Sequence, residues 1–169
     1  MAPDEEEQVK IYRDVAEELA PRPVVFRTFD MGGDRLHGFG LSVARGAARG
    51  DFASPRGTGR FDRDSDLLNP ALGLRALRLG LAHPELLIAQ LRAMLRASEL
   101  GNVCIMFTLV TSVHELRNAR SVVDDVRREL AAEGFHVGQV KVGCMIEVPS
   151  AALTAEALAK ECDFFSVGT

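Results

Sequence analysis

At 169 residues with a formal net charge of −4, the chain is long enough for one domain with a sizeable core and carries no global charge bias toward nucleic acid. Hydrophobic residues at 47% and charged residues at 26% exclude wholesale disorder. No apolar run is long enough to span a membrane, and the acidic start Met1-Ala2-Pro3-Asp4-Glu5-Glu6-Glu7 is the reverse of a secretory signal, so a cytoplasmic protein is expected.

The first helix is expected to begin near Asp4, which can cap it, with Glu5, Glu6 and Glu7 suited to the positive end of its dipole. Val9, Tyr12, Val15 and Leu19 are placed on one face, and Pro21 and Pro23 end the helix. A strand is predicted over Val24-Val25-Phe26-Arg27-Thr28-Phe29, followed by a turn, Asp30-Met31-Gly32-Gly33-Asp34.

From Leu36 to Asp66 the composition changes. Gly38, Gly40, Gly46, Gly50, Gly57 and Gly59 alternate with Arg45, Arg49, Arg56, Arg60 and Arg63, and apolar periodicity fades. At roughly thirty residues this exceeds the usual connection length and marks a flexible Gly/Arg-rich insertion, 36–66, within a single domain, 1–169. Arginine-glycine stretches can bind nucleic acid. Asp51, Asp62, Asp64 and Asp66 offset much of the charge here, and only Phe52 and Phe61 could stack, so a solvated insertion is favoured over an RNA-binding element.

Helical signals resume at Asn69-Pro70-Ala71-Leu72-Gly73-Leu74-Arg75-Ala76-Leu77-Arg78. Another helix starts near Pro84, with Leu87, Leu91, Met94 and Leu95 as its stripe. Val103-Cys104-Ile105-Met106-Phe107 is a strand. Ser112-Val113-His114-Glu115 has the capping-box pattern. It opens a helix striped by Leu116, Ala119, Val123, Val126 and Leu130, and Gly134 suits the C′ position. A strand over Val140–Glu147, a helix over about 150–160 and a last strand over 163–167 complete the reading.

Continuous apolar strands are expected where both faces are buried, and helices separate them. That alternation indicates parallel α/β structure, either a barrel or a doubly wound sheet. Gly32-Gly33 is followed by Asp34 and Arg35, so neither a dinucleotide fingerprint nor a Walker loop is present. Cys104 and Cys144 lie in apolar runs and Cys162 stands apart; reduced thiols are expected, without metal-type spacing.

Arg27 falls late in an apolar strand, where a guanidinium is costly unless paired. It is either in an ion pair with Asp30 or Asp34, or a clamp for phosphate or carboxylate, which a planar fork of donors suits. The C-terminal end of a parallel strand favours the clamp. Arg75, flanked by Leu74 and Leu77, is a second candidate, and Arg78 can be simply solvated. Glu147 ends another apolar strand just before Pro149. It either caps the helix that follows or binds a hard cation through oxygen, which requires further ligands. His37, His83, His114 and His136 show no nucleophile or ligand pattern and are read as ordinary surface.

Taken in order, several stretches resemble one family. They are Glu5-Glu6-Glu7-Gln8, Arg27–Asp34 (RTFDMGGD), Asn69–Arg78 (NPALGLRALR), Gln90–Ser98 (QLRAMLRAS), Met145–Ala152 (MIEVPSAA) and Asp163–Thr169 (DFFSVGT). Together they resemble the central part of the C-terminal phosphoenolpyruvate-binding domain of phosphoenolpyruvate–protein phosphotransferase, enzyme I of the bacterial sugar phosphotransferase system.

The resemblance implies an α/β fold, a partial (β/α)8 TIM-type barrel of the phosphoenolpyruvate/pyruvate kind with about half its strands. Its site would lie at the C-terminal strand ends. It implies that Arg27 and Arg75 bind the phosphate and carboxylate of phosphoenolpyruvate and that Glu147 is a ligand of Mg2+. The phosphoryl group would pass to a histidine on a separate phosphohistidine domain and on to a histidine-containing carrier protein, feeding sugar transport. A homodimer is expected for the full-length protein. In the family an Asn-Asp pair follows Gly-Thr, and that Asp is the second metal ligand. This sequence ends at Thr169, so the free chain is expected to turn over little. Arg35, Ala71 and Thr108 stand where the family has Lys, Phe and Pro. Two alternatives remain open: an inactive binding or assembly module that pairs its unfinished sheet edges, and a relative of pyruvate, phosphate dikinase.

Overall fold

A computed structural model describes residues 4–30, 75–82 and 84–168; the insertion at 36–66 and the stretch 69–74 lie outside these. In chain order the elements are α1 (Glu5–Leu19), β1 (Val24–Arg27), α2 (Ala76–Ala82), α3 (Pro84–Arg96), a 3-10 turn (Ala97–Leu100), β2 (Val103–Phe107), α4 (Val113–Ala132), β3 (Lys141–Ile146), α5 (Pro149–Leu153), α6 (Ala155–Leu158) and β4 (Phe164–Val167). The four strands pair in parallel, in the order β1-β2-β3-β4. A doubly wound sheet reverses its strand order partway; this sheet advances one strand at a time and curls as half of a (β/α)8 barrel.

The core lies between the sheet and its helices. Ile105, Phe107, Val142 and Cys144 from the strands pack with Leu91, Met94 and Leu95 of α3 and with Leu116, Val123, Val126 and Leu130 of α4. Burial of both strand faces is complete in β2, where every residue is buried, and holds in the middle of β3, where Val142, Gly143 and Cys144 are buried. β1 and β4 expose alternate positions, among them Val25, Phe165 and Val167, because these two strands are the edges of the described sheet.

Local chemistry explains the helix ends. Asp4 accepts the Glu7 amide at 2.8 Å and Glu7 reaches back to the Asp4 amide, a complete capping box. The inward stripe of α1 is Val9 and Ala16, both buried, with Tyr12 and Leu19 half-buried; Val15, expected on it, is exposed, since it lies about 100° round the helix from Ala16. Ser112 accepts the Glu115 amide at 3.2 Å. The Glu115 carboxylate reaches one residue further back than a capping box requires, to the amide and hydroxyl of Thr111, both at 2.7 Å. Gly134, at φ +87°, closes α4: its N–H bonds the Ala131 carbonyl and the Phe135 N–H bonds that of Leu130, the Schellman pairing. The single helix expected over 150–160 is broken at Thr154 into α5 and α6. There the Thr154 hydroxyl bonds the Ser150 carbonyl at 2.8 Å.

An ion network docks α1 on α3. Arg92 bonds Glu5 at 2.8 Å and both oxygens of Glu133. Arg96 bonds Glu5 and Glu6, with its guanidinium 4.5 Å from the Phe135 ring centroid. Arg96→Met is expected to lower the urea midpoint with an unchanged slope. The Arg96 hydrogen bond holds the Glu6 carboxyl below its ordinary pKa, and the Arg92 hydrogen bond does the same for Glu133. A depressed carboxyl stabilises above its unfolded pKa, about 4.3, and that contribution fades as pH falls through the folded value. The gap between wild type and Arg96→Met should therefore narrow in acid, and a gap independent of pH would contradict the network.

Cys104 and Cys144 are buried and Cys162 is half-buried. Burial pushes the Cys144 thiol up to about 12, with the neighbouring Cys162 thiol adding to the shift. In native protein, iodoacetamide is expected to modify Cys162 first and Cys144 only on unfolding. Equal labelling by mass spectrometry would contradict this packing.

Candidate functional site

Parallel strands deliver their C-terminal ends to one edge of the sheet. Arg27, the last residue of β1, lies opposite Met106 in register, and the Thr28 N–H continues the ladder to the Met106 carbonyl at 2.9 Å. Phe26 turns toward the helices, with its ring centroid 4.6 Å from that of Tyr12. Alternation along the strand sends Arg27 to the opposite face, where its side chain is 43% exposed. Glu147 follows Ile146, the last residue of β3. Ile146 packs on the core, so alternation turns Glu147 to the same face as Arg27, on the same edge.

Asp30 joins the two arginines singled out by sequence. Arg27 Nη2 donates to Asp30 Oδ2 at 2.8 Å. Arg75, just ahead of α2, donates from Nε and Nη2 to Asp30 Oδ1 at 3.2 and 2.8 Å. The ion pair that sequence left open for Arg27 therefore exists, and a second guanidinium shares it. Asp34 lies outside the described residues. The pairing does not exclude a clamp. Each guanidinium has five N–H donors, and Asp30 occupies one nitrogen of Arg27 and two of Arg75. Two positive charges against one negative leave a local excess that attracts anions. Sequence reasoning treated Asp30 only as a partner for Arg27. The i,i+3 spacing was visible, but the approach of Arg75 from 45 residues away was not. Arg78, which the sequence allows to be simply solvated, has a side chain 27% exposed, with Nε 3.9 Å from Glu115.

Glu147 is held by backbone. Its Oε1 accepts the Leu109 N–H at 2.8 Å. Leu109 has φ +53°, a conformation that disfavours side chains with a Cβ, and it turns the chain leaving β2 so that this N–H reaches the carboxylate. Gly168 presses from the other side. A Cβ there would stand 2.7 Å from Met145 Cε and 3.1 Å from Glu147 Cβ, so glycine lets the end of β4 lie against Glu147 while its N–H bonds the Ile146 carbonyl at 3.0 Å. The capping alternative for Glu147 is not realised: Val148 is the N-cap of α5, and no side chain caps that helix.

Among the described residues no group of three His, Cys, Asp or Glu side chains could hold a metal ion. Glu147 Oε2 is a hard anionic donor at the rim. A magnesium ion bound there would complete its shell with water and substrate oxygens, as this ion commonly does. His114 pairs with Asn118 at 3.4 Å on the exposed side of α4 and His136 is exposed; His37 and His83 lie outside the described residues. No described helix is long and apolar enough to cross a membrane.

Comparison with known proteins extends this geometry. The family model of the phosphoenolpyruvate-binding domain of phosphoenolpyruvate-utilising enzymes matches residues 1–169. A protein of Haemophilus influenzae named phosphoenolpyruvate-protein phosphotransferase is 40% identical over 168 residues, 99% of this chain and 25% of its own length. Proteins of the same name from Listeria monocytogenes and Priestia megaterium are 40% and 39% identical over 168 residues, 99% of this chain and 26% of theirs. The chain thus spans about a quarter of the length of the curated relatives it matches.

Proposed function

Since the chain belongs to the phosphoenolpyruvate-utilising enzymes and matches their phosphoenolpyruvate-binding domain, we propose that it forms the phosphoenolpyruvate site of a phosphoenolpyruvate–protein phosphotransferase. The observation that carries this reading is the Arg27–Asp30–Arg75 bridge at the C-terminal strand edge, on the face where Glu147 also stands. Phosphoenolpyruvate is small and carries a phosphate and a carboxylate. Two forked guanidiniums suit both groups.

In this reading Arg27 and Arg75 bind and orient the substrate, and Asp30 holds their planes in place while neutralising only part of their charge. Phosphoryl transfer depends mostly on positioning and on neutralising charge on the transferred oxygens, and arginines on a fixed rim do both. Glu147 would hold Mg2+, which when bound neutralises phosphate charge. Pyruvate leaves, and the phosphoryl group passes to a histidine of a phosphohistidine domain and then to a histidine-containing carrier serving sugar transport. We further propose a cytoplasmic protein, a homodimer at full length, in which 36–66 is an insertion within the barrel domain. The phosphotransferase name of relatives matched over 99% of the chain favours this reading over a dikinase relative or an assembly module.

The test is direct. The protein as its gene encodes it, given phosphoenolpyruvate labelled in the phosphoryl group, Mg2+ and a histidine-containing carrier, should label the carrier and release pyruvate. A protein that neither binds phosphoenolpyruvate nor forms labelled phosphohistidine would overturn the proposal.

A further inference from the structure

Gln90 of α3 is 2% exposed, yet its amide bonds groups at the strand end that carries Arg27 and on the helix beside it. Its Oε1 accepts the Phe29 N–H at 3.0 Å. Its Nε2 donates to the Tyr12 hydroxyl oxygen at 3.0 Å and approaches the Arg27 carbonyl at 3.5 Å. These backbone groups flank Thr28, which is fixed from the other side: its N–H and its hydroxyl both bond the Met106 carbonyl, at 2.9 and 3.4 Å. β2 thus holds the middle residue of the tripeptide, and Gln90 holds the residues on both sides of it. Asp30 is the next residue, so Arg27 and Asp30, two of the three members of the charge bridge, stand at the two ends of this stretch.

A buried amide costs free energy unless its groups are bonded, and packing alone would be served by leucine or methionine. The position needs an acceptor for Phe29 and donors for Tyr12 and Arg27 together. A glutamine offers both, whereas a carboxylate lacks the donors. We infer that Gln90 is a positioning residue for the anion clamp, setting the path of Arg27–Asp30 so that the Arg27 and Arg75 guanidiniums meet a three-carbon phosphorylated carboxylate in the productive orientation. The inference rests on the phosphoenolpyruvate reading of the site. Gln90 acts through backbone and does not touch substrate.

A merely structural amide makes a different prediction, and the fold supplies the control. Asn102 is also buried and also donates to backbone, to the Ala16 and Arg22 carbonyls at 2.9 and 3.1 Å. It sits at the opposite end of the sheet, where its carbonyl accepts the Val24 N–H. In the protein as its gene encodes it, Gln90→Met is expected to raise the dissociation constant for phosphoenolpyruvate about tenfold or more and to speed hydrogen exchange at the Phe29 amide. Gln90→Glu keeps an acceptor for Phe29 but loses the donor to Arg27, and should fall between. Asn102→Ala should lower the unfolding midpoint and leave the dissociation constant unchanged.

Should Gln90→Met fail to fold, Gln90→Glu decides by the same measurements. Wild-type affinity in the Gln90 variants, or an equal loss of affinity in Asn102→Ala, overturns the inference while leaving the proposed function standing. A wild-type protein that does not bind phosphoenolpyruvate overturns both.

Discussion

Arg27→Ala is expected to weaken phosphoenolpyruvate binding about a hundredfold, measured by titration calorimetry on the protein as its gene encodes it, while Arg45→Ala in the insertion leaves it unchanged. A guanidinium about 4 Å from an anionic oxygen contributes on the order of 4 kcal/mol at an effective dielectric of 20. Arg27 is 43% exposed, so water screens part of this, and about 2.7 kcal/mol remains as the expected loss. The fold should survive, because the Arg27 side chain meets Asp30 at the rim rather than the core, and Asp30 keeps Arg75. Arg27→Lys should be intermediate: the charge stays, but the planar fork is gone. Equal effects of Arg27→Ala and Arg45→Ala would remove Arg27 from the site.

Glu147→Gln is expected to lower magnesium-dependent phosphoryl transfer by a factor on the order of 100 to 1000 and to raise the magnesium concentration needed for half-maximal rate. The substitution keeps the shape of the side chain, and its amide oxygen can still accept the Leu109 N–H that Glu147 now takes. Thermal stability should therefore change by about 1 kcal/mol or less, which separates loss of the anionic donor from loss of the fold. Chelation of magnesium should abolish wild-type transfer and add little to the variant. Full activity in Glu147→Gln at low magnesium would show that the carboxylate is not a ligand.

The local ends were the most legible part of the chain. Asp4, Ser112 and Gly134 act as caps because capping requires only a side chain or a φ angle within a few residues of the helix end. β2 matches its apolar run from Val103 to Phe107. Faces and partners were less legible. Val15 looked apolar enough to be core, but nothing in sequence says which of two nearby apolar positions the sheet will meet. At the break, the Thr154 hydroxyl joins the Thr154 N–H on the Ser150 carbonyl, in a stretch whose residues otherwise suit a continuous helix.

Residue types in order determined the class of this protein. Apolar strands separated by amphipathic helices made it parallel α/β, and an arginine and a glutamate late in apolar strands made Arg27 and Glu147 candidates for binding a small anion and a cation. Only the folded chain decided between a barrel and a doubly wound sheet, because that choice lies in which strands are neighbours. It likewise decided that Asp30 ties Arg27 to Arg75, that Leu109 turns its N–H onto Glu147, and that Gln90 reaches the backbone on either side of Thr28. Each of these contacts spans tens of residues. Local propensity acts over a few residues, so contacts at such separations are set when the sheet and its helices close on one another.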